Sequence, residues 1–184
     1  DDLIVDKTIS IAKKDLTIAG KTYNVAYGDA IPTYELEYTG FVAGEGSANL
    51  LAQPTRTCAY NETSDAGSYD VVVANAEAEN YNISYKNGVV EVAKKQLTVT
   101  ASSHNLTYGD DVPTYKVEIT GFVNGQDKSV LTAQPTLSSA YEKNSDAGSY
   151  AVIASAAEAK NYSFDYVSGS VTVAKRTVDV AWGN

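Results

Sequence analysis

One cysteine, one histidine and one tryptophan stand in 184 residues, and each scarcity closes off a class of chemistry. Cys58 has no partner within the chain, and its counterpart in the internal repeat described below is Ser139. Neither a disulfide framework nor a cysteine metal site can form. His104 alone would have to serve any Ser-His-Asp or Cys-His arrangement, and its counterpart is Tyr23. Basic residues are also few: 14 against 23 acidic ones, a formal charge of -9. A phosphate-rich partner meets an unfavourable field, so nucleic acid is not expected as a partner. No apolar run is long enough to span a membrane, no sorting segment is visible, and the chain reads as a piece of a longer protein. No segment sustains a 3.6-residue apolar period, which removes long amphipathic helices and points to an all-β fold.

What is abundant is repetition. Ser64-Asp65-Ala66-Gly67-Ser68-Tyr69 returns unchanged as Ser145-Asp146-Ala147-Gly148-Ser149-Tyr150, and an offset of 81 aligns residues 13–93 with 94–174 without a gap, at 41 identities. The flanks continue the pattern. Residues 1–12 read as the last strand of a preceding unit, and Thr177–Ala181, within 175–184, as the first strand of a following one.

Ser-Asp-Ala-Gly is a turn signal, because Asp bonds backbone nearby and Gly accepts positive φ. The runs after it, Tyr69–Val73 and Tyr150–Ala154, have strand composition. The Asp-x-Gly-x-Tyr pattern of Asp65, Gly67 and Tyr69, and of Asp146, Gly148 and Tyr150, resembles the tyrosine corner of immunoglobulin-like sandwiches. In each repeat further short strands are expected at Leu16–Ala19, Tyr23–Ala26, Tyr34–Tyr38 and from Pro54 towards Tyr60. A short helical turn is expected near Ser47–Leu51. Tyr81–Tyr85 and Val89–Val92 flank Asn87-Gly88, a pair favoured in primed turns, and read as a closing hairpin. Seven short strands per unit give an immunoglobulin-like β-sandwich in two tandem copies, with a β-grasp-like sheet carrying one short helix as the alternative.

Tyr-Gly-Asp-x-x-Pro-x-Tyr, Thr-Gly-Phe-Val-x-Gly, Gln-Pro-Thr, Ser-Asp-Ala-Gly-Ser-Tyr, Asn-Tyr and Gly-x-Val-x-Val occur twice in one order. Together they resemble the MBG-type repeats of bacterial cell-surface and adhesin-like proteins. The resemblance implies secretion, display on the bacterial surface, tandem use with neighbouring repeats as partners, and no catalytic residue.

Asp29, Asp65, Asp110 and Asp146 are the repeated carboxylates a glycosidase pair would need, yet each sits in a turn with a local role for Asp. Calcium at acidic loops such as Asp110-Asp111, or Glu62 near Asp65, lacks any EF-hand or nonapeptide spacing. The boundary lysines could supply an amine for a crosslink to Asn, but solvated boundary charge explains them. Twelve of the 14 tyrosines fall into six repeat-matched pairs, which marks them as architectural. Tyr23 and Tyr38 are unmatched. With the differing loops at 45–49 and 126–130, they are where a ligand such as a host glycan or protein would be met. The expected role is a non-enzymatic stalk. The run Val90–Val99 contains neither Gly nor Pro, so the two repeats should stand end to end as a rod.

Overall fold

Alternation in the first strands sets the architecture. In the computed structural model, which describes residues 9–182, β1 (Lys14–Gly20) buries Leu16 and Ile18 completely and leaves Lys14 and Asp15 in solvent. A strand with one buried face needs a second layer over it. In the first repeat that layer comes from β5 (Gly67–Ala74) and β7 (Gly88–Ala93), whose Val71, Val73, Val90 and Val92 point inward.

The remaining strands of the first repeat are β2 (Thr22–Ala26), β3 (Leu36–Thr39), β4 (Thr55–Thr57) and β6 (Tyr81–Lys86). They form two sheets, ordered β3-β1-β6 and β2-β7-β5-β4. β1 runs antiparallel to β3 and parallel to β6, with Ile18 opposite both Tyr38 and Tyr85. Ser47–Asn49 form a single 3₁₀ turn, the short helical element expected there.

The second repeat reproduces this plan. Its strands are β8 (Lys95–Ala101), β9 (His104–Thr107), β10 (Val117–Thr120), β11 (Leu131–Ala133), β12 (Thr136–Ser139), β13 (Gly148–Ser155), β14 (Glu158–Ala159), β15 (Tyr162–Val167) and β16 (Gly169–Ala174). The sheets are β10-β8-β15 and β12-β13-β16-β9. A two-stranded β11-β14 ladder has the bridge between Ala52 and Glu77 as its first-repeat counterpart. The core joins Val99 and Ala101 of β8 to Val152 and Ala154 of β13 and to Val171 and Val173 of β16. The protein is all-β, and each repeat has one three-stranded and one four-stranded sheet, with the small β11-β14 ladder added in the second. In each three-stranded sheet one of the two pairings is parallel.

Cα proximity divides the chain into two compact units. The first takes residues up to Val25 and Asp29–Val92; the second takes Ala26–Gly28 and everything from Ala93 onward. One residue, Lys94, separates β7 from β8.

The closing hairpin is corrected by the structure. β6 pairs with β1 in one sheet and β7 with β5 in the other, so Asn87-Gly88 carries the chain between sheets instead of folding it back on itself. Gly88 is needed for a different reason from the expected one: a Cβ there would strike the carbonyl oxygen of Lys21, at the point where β1 passes to β2. Gly169 stands in the same relation to Ser102. Both crossings share one corner of the sandwich, and the Val89 amide bonds the Lys21 carbonyl at 3.1 Å.

Residues 1–8 of the expected preceding strand lie outside the described residues, and residues 9–12 form no strand. Nor do residues 175–182. There, Val178 and Val180, which correspond to the fully buried Leu97 and Val99, are 80% and 69% exposed.

Candidate functional site

Any site shared by the two repeats would have to use the repeated tyrosines. The Tyr69 hydroxyl donates to the Asp65 carbonyl at 2.8 Å, and Tyr150 does the same to Asp146 at 2.8 Å. Both rings are half-buried, and each leans on a second tyrosine, Tyr60 or Tyr141, at 5.9 and 5.7 Å between centroids. That second pair tethers the other turn: Tyr60 donates to the Asp29 carbonyl at 2.7 Å, and Tyr141 to Asp110 at 2.8 Å. Each pair of rings therefore ties the Tyr-Gly-Asp turn and the Asp-Ala-Gly turn to one aromatic post. Gly67 has φ +152°, whereas Gly148 lies outside the positive-φ region, so freedom of φ does not account for both corner glycines.

Two further pairs act alike. Tyr81 accepts the Val42 amide at 3.1 Å and donates to the Glu45 carboxylate. Tyr162 accepts the Val123 amide at 3.2 Å and donates to Gln126 at 2.6 Å. Tyr85 and Tyr166 accept the amides of Ala76 and Ala157, at 2.8 and 2.9 Å. Hydroxyls that leave water must find partners, and each of these bonds backbone, Tyr85 and Tyr166 from partly exposed rings. Tyr34 and Tyr115 are the exception: their hydroxyls are buried without a hydrogen bond among the described residues. Burial, with the Cys58 thiol nearby adding to it, pushes Tyr34 up to about 12.

The four repeated aspartates do not converge. Asp29, Asp65, Asp110 and Asp146 offer their backbone carbonyls to tyrosine hydroxyls. Asp110 also uses its carboxylate locally, accepting the Thr107 amide at 2.8 Å and meeting Arg176 at 3.1 Å. Asp111 is paired with Lys143 at 2.7 Å, which holds its carboxyl below the usual range. Among the described residues no three His, Cys, Asp or Glu side chains gather as metal ligands would. His104 shares a 2.8 Å hydrogen bond with the Ser102 hydroxyl, which in turn accepts the Lys116 amide at 3.0 Å. The pair thus bridges to the segment before β10, and among the described residues no hydrogen bond joins the imidazole to a carboxylate, as a catalytic triad requires. Lys94 Nζ donates to the Ala159 carbonyl at 3.1 Å.

The unmatched tyrosines differ from each other. Tyr23 accepts the Glu35 amide at 2.6 Å and meets Tyr34 edge-on at 5.6 Å, the bridging task that Ser102 and His104 perform in the second repeat. Tyr38 packs on Phe41 at 5.7 Å, and its hydroxyl makes no hydrogen bond among the described residues. It lines a surface hollow of about 460 Å³ with Glu35, Leu36, Gln53, Pro54 and Arg56. The hollow at the matching place in the second repeat, about 360 Å³, is lined by Val117, Ile119, Phe122, Asp127, Lys128 and Gln134. Tyr38 and its counterpart Ile119 thus line equivalent hollows, and in the second repeat Asp127 and Lys128 of the differing 126–130 loop join the wall. Sequence reading missed Glu35, Gln53 and Arg56. The signal was there, since Glu35 and Arg56 also change between repeats, to Lys116 and Leu137.

A duplicated all-β unit whose repeated polar residues tie turns to strands defines a modular repeat protein. Comparison with family profiles matches the MBG domain (YGX type) at residues 16–91 and again at 97–172, and the chain belongs to that family. The Tyr-Gly pairs at Tyr27-Gly28 and Tyr108-Gly109 accord with the designation. No curated protein matches the chain in sequence.

Proposed function

We propose that the chain is a non-catalytic spacer: two MBG repeats from the stalk of a secreted or surface-anchored bacterial protein of adhesin type, working outside the cell. The observation that carries this reading is where the repeated polar side chains point. Four matched tyrosine pairs bond backbone groups within their own repeat. Residues repeated for recognition would keep their polar tips free. Residues repeated for architecture bond inward, as these do.

The joint between repeats supports the same role. With Lys94 alone between β7 and β8, no stretch of chain is long enough to behave as a flexible linker.

Small-angle scattering tests the spacer role. The 184-residue chain should give the profile of an elongated particle with a narrow distance distribution. Inserting Gly-Gly-Ser-Gly between Lys94 and Lys95 should broaden it while each repeat stays folded. A folded-back pair, or a distribution already as broad as that of the insertion variant, would overturn the reading.

A further inference from the structure

The two matching hollows share a frame and differ in their walls. Gln53 Nε2 donates to the Ser47 carbonyl at 2.7 Å, and Gln134 Nε2 to the Lys128 carbonyl at 2.9 Å, so the same glutamine supports each rim. The first-repeat wall then adds Glu35, Tyr38 and Arg56, where the second repeat has Lys116, Ile119 and Leu137. The fold accepts either set. Stability therefore does not explain why the first repeat carries a carboxylate, a phenol and a guanidinium around one depression.

We propose that the first-repeat hollow is a saccharide-binding site that takes a neutral pyranose unit of a glycan. Its polar groups are held in place and keep spare valences. Arg56 Nη1 donates to the Tyr34 carbonyl at 2.6 Å, leaving the other N–H donors of its fork unused in that bond. Glu35 is fixed through one oxygen by Lys21 at 2.9 Å, leaving the second oxygen to accept. Gln53 retains its amide oxygen, and the Tyr38 hydroxyl both donates and accepts. Groups ordered before the ligand arrives cost less to order on binding.

Beside them, Leu36, Pro54 and the Tyr38 ring form an apolar wall. A pyranose offers hydroxyls on its rim and C–H groups on its faces, so it can use both kinds of wall at once. Glu35 and Glu37 balance Lys21 and Arg56 around the hollow, and the chain carries -9, which disfavours a multiply charged anion. The volume, about 460 Å³, is within the range of small-ligand sites. This site goes beyond the spacer role and does not depend on it.

Saturation-transfer NMR on the whole chain, with lactose, cellobiose and diacetylchitobiose as probes, tests the site. Tyr38→Ile and Arg56→Leu each install the residue that the second repeat already holds, and Arg56 lies on the surface, where the change leaves the core intact. Transfer to at least one disaccharide is expected, with a Kd on the order of 1 mM. Either substitution should weaken it about tenfold, which corresponds to about 1.4 kcal/mol, while Ile119→Tyr leaves it unchanged. No transfer to any of the three sugars, or transfer that survives either first-repeat substitution, would overturn the proposal.

Discussion

The Gly88 backbone lies so close to the Lys21 carbonyl oxygen that no side chain fits between them. Two strand connections cross there, one leaving β1 and one leaving β6, and both change sheets. Gly88→Ala should therefore destabilise the first repeat by about 1–3 kcal/mol, the usual range for overpacking. Gly46→Ala is the control, since Gly46 has extended backbone and an added methyl would meet nothing within 4 Å. Urea unfolding of both variants checks the pair. Equal midpoints would mean that the crossing relaxes without cost.

Asn75 and Ala156 occupy matched positions with φ of +63° and +60°. Asn tolerates the left-handed region, whereas Ala is strained there by roughly 1 kcal/mol. Ala156→Asn, which copies the first repeat into the second, should raise the stability of the second repeat by up to about 1 kcal/mol. Calorimetry should show its transition moving upward, and a downward shift would count against the strain.

Tyr69→Phe and Tyr150→Phe remove one hydroxyl each and keep the ring. The bonds to Asp65 and Asp146 are neutral and part-exposed, so each loss should cost about 1 kcal/mol in denaturant unfolding. Tyr38→Phe removes a hydroxyl with no protein partner among the described residues and should fall within about 0.5 kcal/mol of the parent. Similar effects from all three would separate tyrosine stability from tethering.

Tyr34 supplies a pH dependence whose sign is fixed by burial. Its folded pKa is pushed from 10.0 up to about 12, so folding favours the protonated phenol. The stabilisation is complete below the unfolded value and is lost as pH climbs from 10.0 to about 12. Ultraviolet titration should show a late-ionising tyrosine that disappears in Tyr34→Phe. The variant's stability should also fall less steeply over that alkaline window.

Acid acts on a different pair. Lys143 holds the Asp111 carboxyl below its ordinary range, so this contribution is present above that range and fades as pH falls through the depressed value. Both side chains are largely in solvent, and the effect on stability should be slight. Carboxyl NMR should place the Asp111 midpoint below that of a free aspartate, and Lys143→Met should return it upward.

Much of this protein is legible in its sequence because the signals are local or periodic. The duplication needs only an offset. The alternation of Leu16, Thr17 and Ile18 places a buried face, and six matched tyrosine pairs mark the posts of a shared architecture. Asp-Ala-Gly followed by Tyr ties a strand to a turn four residues away, within reach of the motif itself. The hairpin reading fails where locality fails. Asn87-Gly88 has the composition of a tight turn, but its strands find their partners at Lys14–Ala19 and Gly67–Val71, far away in the chain. Glycine serves equally for positive φ and for close approach, and only the position of Lys21 decides between them. The candidate hollow presents the same difficulty: Glu35 and Tyr38 stand on one segment, Gln53 and Arg56 on another, and only the fold brings the two segments to one rim.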